Sequence, residues 1–183
     1  METLQSLIED GSTRLIGASN WSAARILHAN AYARSHGLTS FAANQPQFSL
    51  ARPVYHSDPT LKTMWDAGME ELHWEEKLPC FCFSSQARGF FSKLDQLGEE
   101  GLSESVKKQF LCDENRDIYR CVKAVQAETG LSAGAVALAY LTCQPFPCFA
   151  LAGASRLEHV LSLREAGDAK LTDAQRDFLR QRL

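Results

Sequence analysis

The sequence predicts an α/β fold built on a parallel sheet, and three observations predict it. Four short apolar segments, residues 14–18, 40–44, 79–84 and 148–152, are each followed by helix-forming sequence, so strand and helix alternate along the chain. The stretches between them are long enough to cross over the sheet, as parallel neighbours require. The third segment, Pro79-Cys-Phe-Cys-Phe-Ser84, is apolar without alternation, the pattern of a strand buried on both faces of a parallel sheet.

Taken in order, residues 3–10 form a helix closed by Gly11, and Arg14-Leu-Ile-Gly-Ala18 is the first strand, ending at Ser19-Asn20. Ser22 caps a helix that runs to His36 and stops at Gly37, whose missing Cβ suits the left-handed turn. After the second strand and Pro46 and Pro53, Asp58-Pro59-Thr60 places an N-cap before a proline at the first helical position, predicting a helix from residue 58 to about Lys77. The third strand gives way to a mobile, charge-rich loop marked by Gly89, Gly98 and Gly101. Asp113 or Glu114 opens a helix to Thr129, stopped by Gly130, and Ser132 caps an alanine-rich helix to about Cys143, ended by Pro145 and Pro147. Gly153-Ala-Ser-Arg156 follows the fourth strand, a helix spans residues 157–165, and Thr172-Asp-Ala-Gln175 is a capping box for the last helix.

The chain has 183 residues, enough for one domain over residues 1–183, and neither a linker nor a low-complexity tract divides it. With 45% hydrophobic and 22% charged residues and a formal charge of −3, it has no electrostatic reason to bind nucleic acid or an anionic membrane. The start lacks a basic and then apolar leader, and the most apolar stretch, residues 133–154, is broken by Gln144, Pro145 and Pro147, so a cytoplasmic location is expected. The six cysteines, at 80, 82, 112, 121, 143 and 148, are irregularly spaced among apolar neighbours and read as reduced core thiols. His73-Trp-Glu75 before Pro79-Cys-Phe-Cys82 is faintly like a zinc deaminase, but the cysteine spacing is one residue short, so no metal is expected.

Function in a parallel sheet collects at the carboxyl ends of the strands. Here those ends are Gly17-Ala-Ser-Asn-Trp21, Asn44-Gln45-Pro46, Phe83-Ser-Ser-Gln-Ala-Arg-Gly89 and Gly153-Ala-Ser-Arg156, all rich in small residues, hydroxyls and amides suited to a phosphate-bearing ligand. Singly, each has a plainer reading: a Ser-Asn pair is a helix cap, Phe83 a core residue, Arg156 a solvated charge. In this order and spacing the four resemble the aldo-keto reductase family over essentially the whole chain, from before that family's fifth barrel strand to its final helix.

The resemblance implies the parallel (βα)4 half of a TIM (β/α)8 barrel, and the length agrees, because a whole barrel takes roughly 250 residues. It implies NADP(H) as cofactor, with Ser19, Asn20 and Gln45 on the nicotinamide carboxamide and Phe83 against the ring. Ser84, Ser85, Gln86, Ala87 and Gly89 would cradle the pyrophosphate. Gly153, Ser155, Arg156 and His159 would lie at the adenosine 2′-phosphate end. Leu163 stands where the family often has an asparagine near the adenine. The family's Asp, Tyr, Lys and His tetrad belongs to strands absent here, so no catalytic residue is assigned; His28, His36, His56 and His73 and all four tyrosines read as structural. The implied activity is reduction of a small aldehyde or ketone in a complete enzyme. The alternative is a non-catalytic half-barrel that binds nucleotide or serves as an interaction module. Open sheet edges would favour self-association.

Overall fold

The computed structural model describes residues 1–55, 58, 60–154 and 157–180, and leaves the side chains of Glu158, His159 and Ser162 outside that set. Its strands are β1 (Gly17–Ser19), β2 (Ala43–Gln45), β3 (Cys80–Cys82) and β4 (Cys148–Ala150), paired side by side in the order β1-β2-β3-β4 with every pairing parallel. The helices are α1 (Glu2–Glu9), α2 (Ala23–Ser35), α3 (Met69–Glu75), α4 (Phe90–Leu97), α5 (Glu104–Phe110), α6 (Asp113–Thr129), α7 (Ala133–Thr142), α8 (Leu157–Asp168) and α9 (Asp173–Arg180). The α/β class and the parallel sheet of four strands are as the sequence predicts.

Ladder pairing is shorter than the apolar segments and set by local chemistry. Gly17 faces Ala43 so closely that a Cβ there would lie 3.0 Å from the Ala43 carbonyl oxygen, which makes glycine the residue that lets β1 and β2 pair. In the second segment, Phe41 N–H donates to Asn30 Oδ1 (2.9 Å) on α2 instead of to a neighbouring strand, so β2 begins later, at Ala43.

Three expectations are corrected. The helix expected from residue 58 to Lys77 exists only as α3, because Gln47 engages this segment through a backbone bridge, with Gln47 N–H on the Lys62 carbonyl (3.1 Å) and Met64 N–H on the Gln47 carbonyl (2.9 Å). The glycine-marked loop is instead two helices, α4 and α5: Phe90, Phe91 and Leu94, then Val106 and Phe110, recur at helical spacing and are buried, and Gly98 (φ 66°) ends the first. Finally, β3 is not buried on both faces. Ala18, Asn44, Cys80 and Cys82 face the helices, whereas Phe81 (36% exposed) and Phe149 (50%) stack on the other face with ring centres 5.0 Å apart. Leu151 is exposed just after β4 and Leu15 just before β1.

The core lies between the helix-facing side of the sheet and α7, whose Ala133, Ala135 to Leu138, Ala139, Tyr140 and Leu141 are all buried. Ser132 caps α7 by accepting Ala135 N–H (3.2 Å), as its position in the sequence predicts. Among the described residues, no helix is long and apolar enough to cross a membrane.

His73, fully buried on α3, supplies a pH dependence. The Leu78 carbonyl 2.6 Å from Nδ1 can only accept, so that nitrogen carries the proton and Nε2 accepts Asn44 Nδ2 at 3.2 Å. Burial is the main cause pulling the imidazole below its ordinary 6.5, opposed by the Leu78 contact. The unfolded histidine therefore binds a proton at a higher pH than the folded one, so stability is whole above 6.5 and falls as pH drops through the unfolded value toward the folded one. Urea unfolding between neutral and mildly acidic pH is expected to show that decline, and His73→Gln to flatten it; equal slopes would remove His73 as the cause.

Candidate functional site

Parallel pairing brings the carboxyl ends of all four strands to one edge of the sheet. Ser19 and Gln45 are register partners, and Ser19 Oγ donates to the Gln45 carbonyl oxygen at 2.9 Å. Asn20 has the left-handed backbone (φ 57°) to which asparagine is more tolerant than most residues, and its Oδ1 accepts Lys62 N–H (3.2 Å), tying the β1 end to the segment after β2. Ser19 and Gln45 line a groove of 390 Å³ with Gly17, Ala43, Phe81 and Leu151.

A second cleft, of 840 Å³, opens where β3 runs into α4. Ser84, Ser85, Gln86 and Gly89 line it from one side and Gly153 from the other, and Leu151 borders both hollows. Ser85 is buried and donates to the Leu151 carbonyl oxygen (2.7 Å), which ties the β3 turn to the end of β4. The turn is tightly wound: Ser84 (φ 54°), Ala87 (φ 47°), Arg88 (φ 57°) and Gly89 (φ 76°) all take the left-handed region, three of them with a Cβ. Such backbone gathers at ligand-holding loops, where surrounding structure must hold it.

The turn delivers the chain into α4 with Gly89 at the N-cap, so no side chain caps the helix, while the Phe90 N–H donates to the Ala87 carbonyl oxygen. Ser92 and Lys93 of that first turn line the cleft, and Lys93 Nζ donates to the Arg88 carbonyl oxygen (2.9 Å). Arg88 also lines the cleft. A lysine and an arginine thus meet in one hollow at the start of a helix. Opposite them, Glu165 of α8 accepts both Ser132 N–H (2.8 Å) and Ser132 Oγ–H (2.7 Å) at the start of α7.

The other acid in the cleft, Asp95, is committed elsewhere. The Lys123 ammonium, 2.8 Å away, holds its carboxyl below the ordinary range, and Tyr119 O–H donates to it at 2.9 Å. Tyr119 itself is pushed up to about 12 by burial and then by Asp95, and Tyr140 up to about 12 by burial. No tyrosine or histidine is among the described residues lining either hollow. Hydroxyls and amides line both hollows, and Arg88 and Lys93 add positive charge to the larger one.

Of the residues singled out in the sequence, Ser84, Ser85, Gln86, Gly89 and Gly153 share the large cleft, and Ser19 and Gln45 the smaller one. Asn20, half-buried Phe83 and buried Ala87 lie at the same strand ends without lining either. Ser155, Arg156 and the His159 side chain lie outside the described residues. Sequence reasoning missed Ser92, Lys93 and Gly134. The buried Phe90-Phe91 pair followed by Leu94 was the available signal that these residues start a helix. Gly134 brings α7 against α4, since a Cβ there would meet Ser92 Oγ at 2.4 Å. Gly134→Ala is accordingly expected to shift Ser92 and to lower the melting temperature by a few degrees, read by thermal unfolding; an unchanged transition would show that Ser92 simply rotates away.

Known proteins bear on the reading. A probable aryl-alcohol dehydrogenase of Saccharomyces cerevisiae is 26% identical over 185 aligned residues, covering 98% of this chain and 53% of its own length. Norsolorinic acid reductase B of Aspergillus parasiticus is 27% identical over 180 residues, covering 96% and 44%. The chain thus spans about half the length of the curated relatives it matches. The fold is shared with a thermostable aldo-keto reductase crystallised with the inhibitor epalrestat, at a TM-score of 0.62 and 19% identity over 97% of this chain and 52% of that one. The sequence pattern of the Aldo/keto reductase family matches residues 1–181, and the chain belongs to that family.

Proposed function

We propose that this chain is the NADP(H)-binding half of an aldo-keto reductase that acts on a small aldehyde or ketone. The observation that carries the reading is the start of α4, without a side-chain cap, beside Lys93 and Arg88 in a cleft that shares Leu151 as a wall with the Ser19–Gln45 groove. A helix start without a side-chain cap and two cations suit a pyrophosphate. The hydroxyl and amide at the other end match a carboxamide, which both donates and accepts. Ser155, Arg156 and His159 are proposed for the 2′-phosphate on family resemblance alone.

When bound, the cofactor supplies a hydride to a carbonyl carbon. This chain's residues bind and orient it: Ser19 and Gln45 one end, Lys93 and the α4 N–H groups the middle. The proton for the carbonyl oxygen comes from elsewhere in a complete enzyme. Titrating the chain with NADPH while following the fluorescence of Trp21 is expected to give saturable quenching, and Lys93→Glu to weaken it at least about tenfold, as loss of a charge-assisted contact does. Absence of binding at millimolar NADPH would overturn the reading in favour of an interaction module. NADPH oxidation with a reactive aldehyde is expected to be absent from the chain alone; turnover at ordinary enzyme rates would contradict the division of labour.

The partner proposed for the open sheet face is a second copy. Four parallel strands with both edges unpaired among the described residues, doubled about a two-fold axis along the barrel, make eight, with β4 of each copy beside β1 of the other.

A further inference from the structure

We propose that Cys80, Cys82 and Cys148 form a binding site for a thiophilic d10 cation, Cu(I) or Zn2+, between the sheet and its helices. Cys80 and Cys148 are register partners on β3 and β4, and Cys82 stands two residues along on the same face. The Cys82 and Cys148 sulfurs are 3.1 Å apart, those of Cys80 and Cys82 3.6 Å, and all three lie within 4.8 Å of one another. Sulfurs bound to one metal ion at about 2.3 Å each are separated by slightly less than 4 Å, so the Cys82–Cys148 and Cys80–Cys82 pairs need move apart only by tenths of an ångström to a little under 1 Å. Cys80 and Cys82 are fully buried, while Cys148 on the edge strand is half-buried and gives an entry path.

A second observation comes from the neighbouring strand. Asn44 is the register partner of Cys80, is buried, and its Oδ1 has no hydrogen-bond partner among the described residues, whereas its Nδ2 meets His73 Nε2 and Met69 Sδ, each at 3.2 Å. A buried amide oxygen without a partner is uncommon in folded proteins. Here it lies on the neighbouring strand and on the same face as the three sulfurs, so a polar atom without a partner borders the cluster. Soft thiolates select Cu(I) and Zn2+ over harder ions. On binding, the ligating thiols lose their protons to solvent and sulfur lone pairs form the metal bonds; no oxidation state changes.

The test uses the full chain, reduced and desalted without oxygen, titrated separately with Cu(I) and with Zn2+. The expected result in one or both arms is one equivalent per chain, with an ultraviolet sulfur-to-copper band for Cu(I) and protection of Cys80, Cys82 and Cys148 from alkylation for either ion; the arm that saturates identifies the cation. Cys148→Ser should abolish this with the far-ultraviolet dichroism unchanged, and combined replacement of Cys112, Cys121 and Cys143 by serine should leave it intact. Alkylation mapping on the unaltered chain decides the matter even if a variant fails to fold. Binding in neither arm, or protection centred on other cysteines, overturns the proposal. NADPH binding does not enter the readout, so failure here leaves the cofactor reading standing.

Discussion

Asn115→Leu is expected to destabilise the chain by about 3 kcal/mol, near the upper end for a single polar-to-apolar change, because three backbone groups lose their partner at once. Asn115 is fully buried at the start of α6. Its Oδ1 accepts Arg52 N–H (2.9 Å), and its Nδ2 donates to the Arg52 carbonyl (2.8 Å) and the Phe110 carbonyl (2.7 Å). One amide therefore joins the segment after β2 to the end of α5. Leucine fills similar space and satisfies none of them. Urea unfolding should show a lower midpoint with an unchanged slope, since the surface exposed on unfolding is the same. Asn115→Asp keeps the acceptor and forfeits the donors, so it should also destabilise. A loss below about 1 kcal/mol for leucine would mean that water takes over these bonds.

The second large effect concerns association. Phe81 and Phe149 stack on the open sheet face, with Leu151 exposed alongside and Leu15 exposed before β1. Burying such a patch is the main drive for two proteins to join, at roughly 25 cal/mol per Å² of apolar surface, and unpaired strand edges add hydrogen bonds with a fixed direction. Sedimentation equilibrium of the 20.3 kDa chain is expected to show a concentration-dependent dimer, and Phe149→Asp to shift it strongly to monomer. The substitution lies on an exposed position, so the monomer should stay folded. A wild-type chain that remains a dispersed monomer at every concentration would remove the second copy as the partner. Aggregation without a discrete dimer would do the same.

The order of the elements was legible because strand and helix differ in period and because caps such as Ser22 and Ser132 announce helix starts. Less legible was anything decided by a distant partner. The proline after Asp58 is a sound local start signal, yet Gln47 takes up the backbone of Lys62 and Met64 and the helix does not form until Met69. Gly98 reads as loop from its neighbours, but it terminates α4. Ser19, Gln45, Ser84 and Gly153 were found because strand ends are predictable places. Lys93 is not legible, because its segment looks like a glycine-marked loop from its neighbours alone. Cys148 stands 66 residues from Cys82 in sequence, and only the β3–β4 register brings their sulfurs together.

Glu165 gives the large cleft a direction. Its carboxylate already occupies the N–H and hydroxyl of Ser132 at the start of α7, so a phosphate arriving there would have to displace a resident anion, while no side chain among the described residues caps α4. Negative charge is turned away at one wall and welcomed at the other. For the dinucleotide proposed above, that leaves the α4 wall to its phosphates, and Glu165→Gln is expected to shrink the loss of NADPH affinity that Lys93→Glu causes in the fluorescence titration.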